Sequence, residues 1–171
     1  MTRNGRGVRI RAVMTATQVL VFAFLIGFFA GLRSLTAPAV TAWAAHLDWL
    51  KVPSPLSWMG TATAAILFTL FALVELVTDK LPKTPSRTAP PGLIARIVLG
   101  GLSGACVASA GGAGGTVVGA VLGISGALAG TFGGYLARTR LVKSFGTPDF
   151  VIAILEDLVT IGGSLWVVSR F

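Results

Sequence analysis

The longest uncharged stretch of this chain covers 41 residues, from residue 97 to residue 137. A continuous helix of that length would measure roughly 60 Å, about twice the thickness of a bilayer's hydrocarbon core. The stretch must therefore fold back, and the glycine-rich residues 111–115 are the predicted turn. Charged residues make up only 12% of the chain, against about 25% in an average soluble domain. The sequence therefore predicts an all-α, polytopic integral membrane helix bundle.

Five segments are apolar and long enough to cross a membrane, which takes about 20 residues. These segments are residues 13–32, 59–77, 92–110, 116–137 and 150–168. Residues 34–45 are also apolar, but they contain Pro38 and are too short to cross unaided. We expect a re-entrant or interfacial half-helix there, beside about five transmembrane helices. All of 1–171 is predicted to form one membrane domain surrounded by the lipid bilayer.

Basic residues lie at the ends of these segments, and their distribution predicts the orientation. If residues 34–45 do not cross, the basic amino terminus (1–12), the loop around 80–87 and the loop around 138–143 share one side. The positive-inside rule then predicts a cytoplasmic amino terminus in the cytoplasmic (inner) membrane. The other side holds the four tryptophans, Trp43, Trp49, Trp58 and Trp166. Because the net charge of +8 is explained by orientation, no nucleic-acid partner is expected.

Two parts of the sequence share a pattern of a glycine-rich segment, an arginine, a break and an acidic segment. Residues 27–31 read Gly-Phe-Phe-Ala-Gly and precede Arg33, while residues 130–134 read Gly-Thr-Phe-Gly-Gly and precede Arg138. The pattern predicts an internal repeat of two similar halves.

The two halves of this repeat would be residues 13–79 and 116–170, with residues 92–110 as a linking helix between them. A single extra crossing would insert the second half upside down relative to the first. Inverted repeats of this kind are common in secondary transporters, whose substrate sites lie where discontinuous helices meet.

Four acidic residues in or just after the apolar segments are the leading candidates for function. Charges are costly to place in lipid, so they are normally paired, hydrated or functional. Glu75, Asp79, Glu156 and Asp157 could form a path for a cation or a proton, since hard cations prefer oxygen ligands and carboxylates exchange protons. The alternative is structural pairing with nearby basic residues. The identity of any metal stays open.

Arg33 and Arg138 have a different functional interpretation. A guanidinium group beside a helix break could receive an anionic solute or a phosphate-bearing lipid. The alternative for Arg33 is an interfacial anchor. The basic residues of 80–87 could contact anionic lipid headgroups, or they could serve only as an orientation signal.

Glycines recur every four residues in several apolar segments, which lets helix backbones approach closely in lipid. We expect this close packing either within one chain or across a homo-oligomer. The glycines concerned are Gly27, Gly31, Gly115, Gly119, Gly123, Gly126, Gly130 and Gly134.

The sequence Gly-Leu-Arg-Ser-Leu-Thr-Ala-Pro at 31–38, the motif Glu75-x-x-x-Asp79-Lys80-Leu81-Pro82 and the pair Glu156-Asp157 carry a family resemblance. With these motifs the chain resembles the domain of unknown function 4126 family of small bacterial integral membrane proteins. The resemblance implies a multi-pass membrane protein and supplies no activity.

Three functions are compatible with these features. The first is a small transporter or channel for a cation or proton-coupled solute that uses the acidic residues. The second is handling of an anionic solute or phosphate lipid through Arg33 and Arg138, and the third is a non-transporting assembly protein. No nucleophile-base pair or metal cluster is visible in the sequence, so neither an enzyme nor a cofactor is expected.

Overall fold

The computed structural model describes residues 14–79, 89–112, 115–146 and 148–171, and all regular secondary structure in these ranges is helical. The helices are α1 (Ala16–Leu32), α2 (Thr36–His46), a short 3-10 helix (Leu56–Gly60), α3 (Ala62–Thr78), α4 (Pro90–Ala110), α5 (Gly115–Phe145) and α6 (Asp149–Val168). By length and hydropathy, α4, α5 and α6 could each cross a membrane, and α1 and α3 are apolar but shorter. The all-α prediction is confirmed. The basic segments 1–12 and 80–87 lie outside the described residues.

Several helices begin where the sequence supplies a start signal. Thr15 and Gln18 form a reciprocal capping box at the start of α1, in which each side chain accepts a hydrogen bond from the other's backbone N–H. The Thr61 hydroxyl accepts from the Ala64 N–H at 3.2 Å to start α3. Pro90 occupies the first turn of α4, where its missing N–H costs nothing.

Helices α1, α4 and α5 pack so closely that glycine is required at their contacts, and we call these three helices the glycine core. A Cβ atom at Gly27 would collide with the backbone of Gly123, and one at Gly104 would collide with the backbone of Gly119. The helix predicted as a linker, α4, is therefore one of the three core helices. The predicted turn after it contains Gly112 in the left-handed region, with φ of 68°.

The direction of α5 differs from that required by an inverted repeat. Gly27 lies against Gly123, and one turn later Gly31 lies against Ala127 and Gly130. Residue numbers rise together along both helices, so α1 and α5 run parallel. Inversion would make these two glycine-rich helices antiparallel, and the predicted inverted repeat is therefore wrong. The shared sequence pattern reflects a common requirement for close packing.

The half-helix α2 takes a path that the sequence interpretation did not anticipate. Its 11 residues span about 16 Å, so its predicted half-length is correct. However, the backbone N–H of Ser34 bonds to Glu75 near the end of α3, whereas the His46 ring lies 3.0 Å from the carbonyl of Gly60 at the start of α3. The chain therefore runs the whole length of α3 between residues 34 and 60. The placement of α2 as a re-entrant or interfacial segment of the membrane stays a prediction.

This path gives every helix a direction opposite to that of the helix before it. Val19, Gly111 and Phe171 meet at one end of the bundle, called here the opposite end, and Gly60 at the start of α3 lies on the side away from Glu75 and Asp79. The other end holds Arg33, Asp79, Arg138 and Asp157, and we call it the charged end.

The start of α1 consequently lies at the other end from Arg138, Arg140 and Lys143. The 138–143 segment, which was expected to be a loop, is helical, because α5 continues to Phe145. The basic residues 1–12 and 80–87 lie outside the described residues, so the cytoplasmic amino terminus stays a prediction. The side chains of the four tryptophans are all exposed.

Candidate functional site

Arg33 is the most deeply buried charged residue of the described chain, with 0% of its side chain exposed. It follows the last residue of α1 in an extended conformation, and its backbone N–H still bonds to Phe29 of that helix. The break turns its side chain inward rather than toward lipid. Its Nη1 forms an ion pair with Asp79 Oδ2 just after α3, and its Nη2 lies 2.6 Å from Asp157 Oδ1 on α6. One guanidinium group thus joins two helices.

The two contacts of Arg33 differ in kind. The contact with Asp79 has hydrogen-bond geometry, whereas the contact with Asp157 is short but misaligned for a hydrogen bond. The attraction between Arg33 and Asp157 is therefore electrostatic rather than directional. Asp79 and Asp157 keep 19% and 10% of their side chains exposed, so solvent can reach the acids more readily than the arginine.

Glu75 stabilises the start of α2 from a neighbouring helix. Its carboxylate accepts hydrogen bonds from the backbone N–H groups of Ser34 and Leu35 at 2.8 and 2.9 Å, and from the Ser34 hydroxyl at 2.6 Å. No side chain of α2 itself caps its first turn. A helix amino terminus carries unpaired N–H groups and a partial positive charge, so a carboxylate there is favourable.

A second charged group lies at the same end but nearer to solvent. Arg138 near the end of α5 binds Asp149 through two hydrogen bonds, of which the Nε–Oδ1 bond measures 2.8 Å, and its Nη1 lies 3.6 Å from Glu156. The Asp149 side chain is 63% exposed. This group therefore resembles a surface ion pair, which contributes little to stability.

A comparison with protein families finds the match described as Domain of unknown function (DUF4126), which covers residues 20–169. The chain belongs to this DUF4126 family. Neither curated proteins nor solved structures give a match.

The six charged residues predicted for this DUF4126 protein all lie at the charged end, in two groups. Arg33, Asp79 and Asp157 form the buried ion-pair cluster, with Glu75 beside it through Ser34. Glu156 belongs to the more exposed group around Arg138. The adjacent acids Glu156 and Asp157 therefore serve different arginines, which the sequence could not show. Among the described residues, no three acidic, histidine or cysteine side chains converge on a metal-binding position.

Two participants, Ser34 and Asp149, were not predicted, and a third, Arg96, was expected only as one of the basic residues that could pair with the acids. Ser34 was quoted only as part of a motif, yet its hydroxyl binds Glu75. Asp149 begins α6 and binds Arg138, eleven residues away across the break. Arg96 is buried in α4, one turn before Gly100, and the contact of Gly100 with Ala30 puts it near the level of Arg33. The only signal for Arg96 was its position inside an apolar segment of the DUF4126 sequence.

The predicted packing glycines occupy two faces of α5. Gly119 faces α4, Gly126 and Gly130 face α1, and Gly123 lies against both helices. A Cβ atom at Gly115 would meet open space, so the close contact begins at Gly119. Gly134 is buried. In this DUF4126 protein, the close contacts of these glycines are made within one chain.

Proposed function

We propose that this protein is a small multi-pass transporter of the cytoplasmic membrane that moves protons, or a solute coupled to protons, through the charged end. The observation that carries the proposal is the position of Arg33 between Asp79 on the α3 side and Asp157 on α6. A buried cation held by acids from two helices forms a network that proton binding can open. Buried charged groups within a membrane are a common mark of such pathways.

Protonation acts on this network by removing negative charge. A proton on Asp79 or Asp157 weakens that residue's attraction to Arg33 and leaves the arginine held by the other acid. A cation that enters the site would act in the same way, by competing with Arg33 for the carboxylates. The ion-pair network therefore gives the protein two arrangements with different charge distributions, as alternating access requires.

Helix α3 is the element that such a change would move. It packs chiefly against α2 and the 3-10 helix rather than against the glycine core. Its end is fixed by Glu75 and Asp79, so both of its acids bind elements at the charged end. Most of its remaining surface is apolar and exposed, as lipid contact requires. The exposed side chains include Ile66, Leu67, Leu70, Phe71, Leu73 and Val74.

The anionic-solute function receives less support from this geometry. Arg33 directs its terminal nitrogens toward Asp79 and Asp157, and Arg138 binds Asp149 and contacts Glu156. An anion would have to displace a carboxylate to reach either arginine. The variant Arg33→Lys separates the two ideas, because loss of the bidentate geometry harms anion recognition more than proton movement.

A non-transporting assembly protein is the second candidate. The complete burial of the Arg33 side chain favours it, since a purely structural ion pair also needs no access to water. Purification of a stable partner complex, together with no flux, would support this candidate.

The direct test uses purified protein in liposomes that contain a pH-sensitive dye. A potassium gradient with valinomycin imposes a membrane potential, and the internal pH is followed with and without added Na⁺. We expect a proton flux above that of empty liposomes. Asp157→Asn should reduce this flux at least tenfold, and Glu75→Gln should also reduce it.

Asp149→Asn is the matched control, because it makes the same chemical change at the same end in an exposed residue. It should keep most of the wild-type flux. The transporter proposal is wrong if wild-type protein carries no proton or cation flux, or if Asp157→Asn matches wild type.

A further inference from the structure

Two hydroxyl groups between α2 and α6 are buried and have no hydrogen-bond partner among the described residues. They are Thr36 Oγ1, in the first turn of α2, and Ser164 Oγ, on α6. Thr36 is 5% exposed and Ser164 is fully buried. Arg33 Nε, at the start of α2, is likewise buried and without an acceptor in the described part of the chain. Thr36 and Ser164 belong to two helices, α2 and α6, that pack against each other.

In the glycine core, by contrast, buried hydroxyls have hydrogen-bond partners. Ser103 donates to the Leu99 carbonyl at 2.9 Å, and Thr131 donates to the Ala127 carbonyl at 2.7 Å. These hydroxyls are satisfied by the preceding turn of their own helix, as is usual for serine and threonine in apolar helices. The hydroxyls of Thr36 and Ser164 make no such hydrogen bond to the preceding turn. A buried hydroxyl without a partner costs free energy, and internal water is the usual remedy where no protein group is available.

The two hydroxyls belong to a longer polar row. On α6, Asp157, Thr160 and Ser164 follow one another at helical spacing on one buried face. Helix α2 packs against α6 and runs in the same direction from the charged end. Thr36 therefore lies near the level of Thr160, and Thr41 lies near the level of Ser164. Both Thr41 and Thr160 donate to their own helices and keep lone pairs that can accept from water.

We infer that this row, made by Thr36, Thr41, Thr160 and Ser164, is a hydrated path that leads from Asp157 toward the opposite end of the bundle. The inference rests on the proposed function, since it assigns the proton as the species that uses the path. Water molecules beside Thr36 and Ser164 satisfy their hydroxyls and connect them to the remaining members of the row. Asp157 at the charged end is the acid that gives up the proton, and the row is the path that the proton follows.

The proton transfer needs no further reactant. Protonated Asp157 gives its proton to the neighbouring water, which passes a proton to the next water of the row, and so on toward the opposite end. Asp157 is left as a carboxylate beside Arg33. Each O–H bond that breaks is matched by one that forms, and the net result is movement of one positive charge.

Water access to Ser164 can be measured without any transport assay. The only cysteine, Cys106, is first replaced by alanine, and Ser164→Cys then introduces a thiol of similar size. Proteoliposomes are treated with Ag⁺, which is small enough to follow a water path, and unreacted thiol is labelled with a fluorescent maleimide after denaturation. We expect Ag⁺ to block at least three quarters of the labelling at position 164.

Val107→Cys is the matched control for this experiment. Val107 is also fully buried, but it lies on α4, which contributes no residue to the row. Ag⁺ should leave labelling at this position nearly unchanged. Equal protection at both positions, or protection at neither, overturns the hydrated path.

Transport measurements then test what the path carries. Thr36→Val and Ser164→Ala remove the hydroxyls with little change in shape, so the melting temperature should not fall, while proton flux should fall at least fivefold. Unchanged flux in both variants overturns the path as the proton's route and leaves the proposed transporter standing. Wild-type protein without flux, combined with Ag⁺ protection at position 164, overturns the transporter and leaves a hydrated polar row.

Discussion

The glycine core and the polar layer, formed by α2, α3 and α6, are held together by different forces. In the glycine core, backbones touch at Gly27, Gly31, Gly123 and Gly130, so that van der Waals contact dominates. The polar layer also places apolar residues in the core, such as Ala37 and Val167, but what distinguishes it is a few directed contacts made by charged or polar side chains. Arg33 is the central one, because it binds both Asp79 and Asp157.

This difference has a mechanical consequence. Close backbone contacts are lost all at once when helices separate, so the glycine core has one favourable arrangement. Contacts through carboxylates depend on charge, and they change when a proton or a cation arrives. The polar layer is therefore the part of the molecule that chemistry can rearrange, and the glycine core is the frame against which it moves.

The largest effect is expected from Arg33→Met, which removes the cation that two buried acids contact. Breaking a buried ion pair from one side costs about 3–5 kcal/mol. Hydrogen exchange measured by mass spectrometry should rise more in α3 than in α4. Adding Asp79→Asn and Asp157→Asn should restore part of the stability, because no uncompensated charge then remains. A uniform rise across both helices would remove the distinction between the two regions.

Gly123→Ala tests the glycine core with the addition of one methyl group. Its Cβ atom would collide with the backbone of Gly100, and overpacking of this kind costs about 1–3 kcal/mol. Gly133→Ala is the control, since a Cβ atom there meets open space, and it should be neutral or stabilising by up to about 1 kcal/mol. Thermal unfolding in detergent measures both. Equal melting temperatures would contradict close packing as the source of core stability.

Trp43→Phe probes a single contact between α2 and α3. The Trp43 Nε1 donates to the Thr69 hydroxyl at 2.9 Å, and loss of this bond should cost about 1 kcal/mol. Trp49→Phe changes another exposed indole at the same end and serves as the control. Denaturant titration should show a lower midpoint for the first variant only. A similar fall in both would mean that the indole's apolar contacts matter more than its hydrogen bond.

Asp149→Asn should have the smallest effect on stability, below about 1 kcal/mol, because its ion pair with Arg138 is largely solvated. The same thermal unfolding assay applies, at low and at 0.5 M added salt. Salt should shrink the small difference further by screening the pair. A loss as large as that of Arg33→Met would place the second charged group inside the structural network.

The sequence predicted the helices and the acidic candidates because both depend on local properties. An apolar run of sufficient length forms a helix in lipid wherever it packs, and a charge within such a run is conspicuous. The turn near Gly112 was predicted for the same local reason. The extension of α5 past Arg138 was missed, since the end of an apolar run marks the edge of lipid and not the end of a helix.

The path of α2 was missed because it depends on contacts that no local pattern displays. Eleven residues are too few to cross a bilayer, and the sequence does not reveal that Glu75 accepts the free N–H groups of Ser34 and Leu35. Once that crossing was omitted, the directions of the later helices relative to α1 were inverted. The parallel course of α1 and α5 could only be found from the contacts of their glycines.

The capping of α2 by Glu75 also sets the order in which the protein can be assembled. Glu75 is synthesised 41 residues after Ser34, and its carboxylate accepts hydrogen bonds from the N–H and the hydroxyl of Ser34. Until α3 has been made, α2 is too short to cross and its first N–H groups lack their acceptor. We therefore expect α2 to acquire its native position only once α3 is present, so that the two helices join the structure as one hairpin.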